Sequence, residues 1–182
     1  MKKLCSLILL IAMNSFAIYF DGGIGFGGAS TEVGNIDFGK ACGGECDEIA
    51  VDLGLRVGGQ INERFWIAGE FGGVGNRYYD SENYIQFNSY FIGPSFIFYP
   101  VEYLHLSGSL GYSWTSNNTD INGLYLYDGS GAALSLTVAY DTGINDGALI
   151  GCKIYSSSVT LDENKKDLST VGFMVFIRYV HK

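Results

Sequence analysis

Charged side chains are scarce in this sequence. Only 16% of its 182 residues are Asp, Glu, Lys or Arg, against about 25% in ordinary soluble domains. A water-exposed surface of the usual kind cannot be built from so few charges. Basic clusters are also lacking, and the formal net charge is −8, which excludes the basic footprint that phosphate backbones require and leaves no nucleic-acid partner. Proline and histidine occur twice each, too few for a polyproline linker or a histidine-rich metal centre. Beyond the first residues no apolar run approaches the ~20 residues of a spanning helix, so any membrane crossing by the mature chain has to use strands. The length suits one domain. What the chain does have in quantity is 26 Gly, 13 Tyr and 12 Phe.

Residues 1–17 read as a secretory signal peptide. Lys2 and Lys3 form the positive start, Leu7 to Met13 the apolar core, and Ser15-Phe16-Ala17 the small-residue cleavage site. The mature domain, 18–182, then begins at Ile18. Cys5 precedes the apolar core, where no lipoprotein signal places its cysteine. Of the remaining cysteines, Cys42 and Cys46 lie in Ala-Cys-Gly-Gly-Glu-Cys-Asp. In an oxidising compartment a local disulfide is the first reading of that pair. A metal site built with Glu45, Asp47 and Glu48 is the alternative, although the second Cys pair or His of a zinc signature is missing. Cys152 reads as a small hydrophobe.

The mature sequence divides into eight segments with the period-two alternation of β-strands. In the fifth, Leu104, Leu106, Gly108, Leu110, Tyr112 and Trp114 share one face, while His105, Ser107, Ser109, Gly111 and Ser113 share the other. The same division separates Val51, Leu53, Leu55 and Val57 from Asp52, Gly54, Arg56 and Gly58, and Val171, Phe173, Val175 and Ile177 from Gly172, Met174, Phe176 and Arg178. Leu134, Leu136 and Val138 likewise oppose Ser135, Thr137 and Ala139. The first segment runs from Ile18 to about Ala29. Pro94, inside the fourth, removes a ladder donor and predicts a bulge.

The connections alternate. Those near Asn62-Glu63, Pro100-Val101-Glu102 and Asp141 to Asp146 are short, whereas 30–48, 75–83, 115–130 and 158–168 read as longer polar loops. Transmembrane barrels are built this way, with short turns at one end and long loops at the other. The Gly, Ala, Ser and Thr of the polar face are too bland for a water-facing strand surface and suit a narrow interior. The bulky face carries aromatics near the strand ends, Tyr99, Trp114, Tyr140 and Tyr179, as interfacial girdles do. The reading is therefore an all-β, eight-stranded, antiparallel up-and-down transmembrane β-barrel with short periplasmic turns and long extracellular loops. Open edges are too costly in lipid, so the strands from Ile18 and to Tyr179 must pair.

Leader, eight alternating segments and loop asymmetry together resemble the outer-membrane protein A-like eight-stranded barrel family over nearly the whole mature chain. The resemblance is one of architecture, without a diagnostic motif. It implies residence in the bacterial outer membrane, contact with membrane lipid and lipopolysaccharide, and handling by periplasmic chaperones and the barrel-assembly machinery. Phe173 to Tyr179 looks like the terminal signal for that machinery, departing from the pattern in that Val180, His181 and Lys182 follow it.

Few residues invite chemistry. His105-Leu106-Ser107 is similar to the His-x-Ser pair of the lipid A 3-O-deacylases, but lies just after a short turn, on the side away from the outer leaflet. No orienting acid follows, so no catalytic residue is assigned. The glycines from Gly22 to Gly28 lack the following helix that a phosphate-binding loop needs. The loop acids show no calcium-loop spacing, and no cofactor or metal is expected. Asp21, Asp52, Arg56, Glu70, Lys153 and Arg178 fall on the inward face, where isolated charges are costly unless paired, so they are expected to form a lumen charge network. The function expected is non-enzymatic: envelope integrity or surface interaction through the extracellular loops. A narrow passage for small or hydrophobic solutes is the alternative, followed by a lipid A-modifying enzyme.

Overall fold

The computed structural model describes residues 18–34, 36–41, 46–80, 83–121, 128–162 and 166–182. The expected signal peptide and Cys42 lie outside them. Eight long strands form the wall: β1 (Ile18–Val33), β3 (Asp47–Asn62), β4 (Phe65–Tyr79), β5 (Tyr84–Val101), β6 (Leu104–Thr119), β7 (Gly129–Asp141), β8 (Asp146–Leu161) and β9 (Asp167–His181). A two-residue strand, β2 (Ile36–Asp37), and one helical turn, α1 (Phe38–Ala41), lie in the first long connection. Each strand pairs antiparallel with its sequence neighbour, and β1 pairs with β9 from Phe20↔His181 to Val33↔Leu168, which closes the barrel. Closure satisfies every edge, the requirement a sheet meets in lipid.

The outer surface is apolar between two aromatic belts. Phe65 stacks on Phe98 at 4.6 Å and Tyr103 meets Tyr140 at 5.9 Å near the short turns. Trp114 meets Tyr90 at 5.8 Å and Tyr112 at 6.2 Å toward the long loops. From Leu104 to Trp114 the chain climbs about 25 Å, at ~3.3 Å per residue and ~40° tilt. That is the height of the apolar band of an outer-membrane barrel.

The strands extend further toward the long-loop end than alternation predicts, so the connections there are shorter than expected. The physical reason is an inversion of the pattern above the upper belt. There Tyr78, Phe87, Val159, Leu161 and Leu168 pack inside as an apolar cluster, joined by Phe38 of α1. Arg77, Gln86, Asn88, Ser158 and Thr160 alternate with them on the outer face. Strands that leave lipid become those of a soluble barrel, apolar inward and polar outward, and composition alone makes such stretches look like loops.

Two further expectations on β5 are corrected. The bulge predicted at Pro94 is absent: Ile92↔Tyr112 and Ser95↔Ser109 keep one register across it. The β5–β6 ladder simply omits Gly93 and Pro94, and the register shift comes later, between Phe98 and Val101. Pro94 is exposed on the outer face, and the facing glycines Gly93 and Gly111 let the two backbones close around the missing donor. Tyr99 does not belong to the outer girdle. It points inward at 5% exposure, because period two from Ser95 and Ile97 places it there and its hydroxyl has buried partners. The interior is correspondingly bulkier than a Gly/Ala/Ser/Thr face, with Tyr19, Trp66, Phe91, Ile97, Tyr155, Met174 and Phe176 buried in it.

Candidate functional site: a closed ring of charge in the lumen

The Glu63-Arg64 turn between β3 and β4, with a one-residue register shift between Gln60 and Asn62, gives pairs in which Gln60 faces Trp66, Gly58 faces Ala68 and Arg56 faces Glu70. Arg56 and Glu70 thus share the inward face at one height, and Arg56 Nε donates to Glu70 Oε2 at 2.9 Å. On the other side of the barrel, Lys153 of β8 reaches Asp52 Oδ1 at 2.6 Å and Glu70 Oε1 at 3.8 Å. Arg178 of β9 joins Asp52 Oδ2 at 3.0 Å and Asp21 Oδ1 at 3.3 Å. Asp21 Oδ2 returns to Arg56 Nη1 at 3.4 Å.

The six charges therefore close on themselves in alternating sign: Arg56, Glu70, Lys153, Asp52, Arg178, Asp21 and back to Arg56. Three cations and three carboxylates cancel, and every member is at most 1% exposed. An uncompensated buried charge costs several kcal/mol. Here each charge has two partners of opposite sign.

Neutral groups tie the ring to the remaining strands. Arg56 Nη2 donates to Thr137 Oγ1 of β7 at 3.2 Å. Ser109 of β6 donates to Glu70 Oε2 and accepts from the Ser95 hydroxyl of β5 at 2.8 Å. The Tyr19 hydroxyl donates to Asp21 at 2.7 Å. With these bonds the network touches all eight wall strands. Sequence reading missed Tyr19, Ser95, Ser109 and Thr137. Ser95 and Ser109 lie opposite one another only because the β5–β6 register shifts by one residue between Phe98 and Val101, which the spacing of the Glu102-Tyr103 turn does not show.

His105 and Ser107 also point inward, without forming a dyad. His105 Nε2 lies 3.4 Å from Arg56 Nη1 and Nδ1 lies 3.1 Å from the Tyr99 hydroxyl. Since a guanidinium only donates, Nε2 accepts, the proton sits on Nδ1, and Tyr99 donates onward to Asp141 at 3.0 Å. Among the described residues the Ser107 hydroxyl has no hydrogen-bond partner. Asp141 also holds Lys182 at 2.8 Å, and the Lys182 ammonium lies 4.4 Å from the Tyr99 ring centre, so the chain terminus packs into the short-turn mouth. At the other mouth Phe38 packs edge-on against Phe87 at 4.8 Å. Beside it, the hydrogen bond from Lys40 holds the Asp37 carboxyl below its usual range.

Cys46 is disulfide-bonded, and Cys152 is a free, half-buried thiol on β8. Among the described residues no group of three or more His, Cys, Asp or Glu is arranged to hold a metal, and no helix is long and apolar enough to cross a membrane.

A closed eight-stranded wall with an apolar outer band and a charged, filled lumen defines the class: this is the fold of the small bacterial outer-membrane β-barrels. Among solved structures the chain is similar to the attachment invasion locus protein Ail of Yersinia pestis, crystallised with the heparin analogue sucrose octasulfate. The TM-score is 0.59 at 16% identity, covering 89% of this chain and 99% of that one. It is also similar to Neisserial surface protein A, with a TM-score of 0.54 at 12% identity over 88% of this chain and 95% of that one. At such identities the likeness is one of fold. No protein-family model matches the sequence and no curated protein sequence does.

Proposed function

We propose that the protein, exported by residues 1–17, is a non-enzymatic outer-membrane barrel that acts at its surface, supporting envelope integrity or surface interaction through its outer loops. The observation that carries this reading is the filled lumen. The charge ring spans the bore at mid-height, apolar layers containing Tyr19 and Trp66 on one side and Phe91, Tyr155 and Met174 on the other flank it, and all are buried. A solute would have to break paired charges that are expensive to separate. Work is left to the outside of the barrel and its loops.

Acids dominate the long-loop end of the barrel, among them Glu32, Asp37, Asp47, Glu48 and Asp167 at strand ends and Asp80, Asp120, Asp128 and Asp162 beyond them. A surface of that sign suits a cationic partner, or an anionic one bridged by divalent ions, better than a free polyanion of the kind seen with Ail. Against catalysis stands the pairing of His105 with Arg56 and Tyr99 in place of Ser107.

Three measurements test the reading. The refolded mature chain in planar bilayers is expected to show no unitary conductance; discrete openings would establish a passage instead. A strain lacking the gene is expected to leak periplasmic contents or lose adhesion, and full wild-type behaviour in both assays would sink the proposed role. Lipid A from cells expressing the chain is expected to keep its acyl chains, and loss of a chain abolished by Ser107→Ala would establish an enzyme.

A further inference from the structure

The outer wall carries one feature that a uniform lipid-facing surface does not need. On β4 the outward positions 73 and 75 are both glycine; the Tyr90 ring lies over Gly73, and at Gly75 the backbone is bare between the side chains of β3 and β5. The result is a groove of about 640 Å³, with Val51 and Leu53 along one bank and Asn88 and Tyr90 along the other. That volume lies within the roughly 300–1,000 Å³ of small-molecule sites. Tyr90 belongs to the upper aromatic belt, so the lower part of the groove faces hydrocarbon.

Arg77 closes the upper end. Twelve residues above Phe65, at ~3.3 Å each and ~40° tilt, it stands about 30 Å from the lower belt, at headgroup level. Its guanidinium lies 4.0 Å from the Tyr84 ring centre. No carboxylate among the described residues pairs with it. An arginine oriented by stacking, with no carboxylate partner among the described residues, presents the fork that phosphate oxygens match. Immediately above, sharing Arg77 and Ile49 with the groove, is a polar recess of about 460 Å³ lined by Asp80, Asn83 and Asp120. Carboxylates and amides accept and donate hydrogen bonds to sugar hydroxyls and repel a second anion.

From bottom to top the order is acyl slot, single cation, hydroxyl-binding recess. We propose that this face of the barrel is a binding site for one phosphorylated glycolipid of the outer leaflet, with an acyl chain over Gly75 beside the Tyr90 ring, a phosphate on Arg77 and a sugar in the recess. The inference rests on the outer-membrane placement proposed above and adds a specific lipid to it. A diacyl phospholipid has chain and phosphate but no sugar for the recess, and a second copy of the barrel would bring no phosphate to Arg77.

Native mass spectrometry of the full mature barrel, released from detergent with bis-phosphorylated lipid A or with phosphatidylglycerol, tests it. The wild type is expected to retain one lipid A and to retain phosphatidylglycerol about tenfold less well, the ratio that ~1.4 kcal/mol of added headgroup bonding supplies. Arg77→Gln and Gly75→Leu are each expected to weaken lipid A retention about tenfold. Arg64→Gln, at the opposite end, should retain it like the wild type. Gly75 is the chosen floor position because a Cβ there meets only the Asn88 side-chain oxygen, at 3.0 Å; should that variant not fold, the exposed Arg77→Gln carries the test. Equal retention by wild type and Arg77→Gln, equal retention of both lipids, or a dimer that Gly75→Leu dissolves would each overturn the proposal. Heat-modifiable gel migration reports folding throughout. A chain that forms no such barrel in detergent sinks the membrane reading, whereas a folded barrel that binds no lipid A sinks only the groove.

Discussion

Arg178 on the last strand lies 3.3 Å from Asp21 on the first, across the seam that closes the barrel, and its second terminal nitrogen lies 3.0 Å from Asp52. One planar guanidinium thus bridges two carboxylates on two different strands. A lysine ammonium at this position is a compact point charge without the planar fork that places one nitrogen on each carboxylate. Arg178→Lys is therefore expected to lower stability by about 1–3 kcal/mol with the net charge unchanged. Arg178→Met, which strands a buried negative charge, should cost about 3–5 kcal/mol. Urea unfolding in lipid vesicles measures both. A Lys variant as stable as the wild type would mean that charge alone matters and the bridging geometry does not.

Arg56 and Glu70 share a rung of the β3–β4 ladder and a 2.9 Å hydrogen bond. Either alanine substitution alone leaves its partner buried and short of a counter-charge, at a cost of about 3–5 kcal/mol. The double substitution should cost less than the sum of the two, by about 0.5–3 kcal/mol of coupling. Strict additivity in the same unfolding assay would show that the pair is not energetically linked.

Glycines on the wall are not equivalent. A Cβ on Gly54, which faces inward, would collide with the Arg178 guanidinium, whereas a Cβ on Gly69, which faces outward, would find only the Val57 carbonyl at 4.0 Å. Gly54→Ala is expected to destabilise by about 1–3 kcal/mol through overpacking against the ring, and Gly69→Ala to stay within about 0.5 kcal/mol of the wild type. The reverse ranking would place the guanidinium elsewhere.

The cysteines give a test on intact cells. Cys46 is disulfide-bonded, and Cys42, four residues earlier, is the partner expected from the sequence. A membrane-impermeant maleimide should label cells only after treatment with a reductant. Cys152, on the lipid-facing side of β8, should stay unlabelled in both conditions. Ready labelling without reductant would show free thiols at the surface.

Period-two alternation is local, so strand number, antiparallel order and the inward set Asp21, Asp52, Arg56, Glu70, Lys153 and Arg178 could be read from the chain alone. So could the Arg56–Glu70 rung, because a short connection leaves few registers and the inward charges select the one in which they meet, with the one-residue shift between Gln60 and Asn62 accommodating it. Where alternation changes meaning, the reading failed. Above the lipid the same period carries apolar side chains inward, so these strand ends look like loops in composition, and the bulk of Tyr99 does not signal lipid. What only the tertiary structure decided depends on closure. Arg178 meets Asp21, and Lys153 reaches across to Asp52 and Glu70, because the first and last strands pair and bring residues from opposite ends of the sequence to one height. The glycine-floored groove is of the same kind: Gly73 and Gly75 look like ordinary strand glycines until two neighbouring strands supply its banks. Contacts along a strand or across one turn are written in sequence spacing, whereas contacts across a bore depend on shear and tilt, which no single segment encodes.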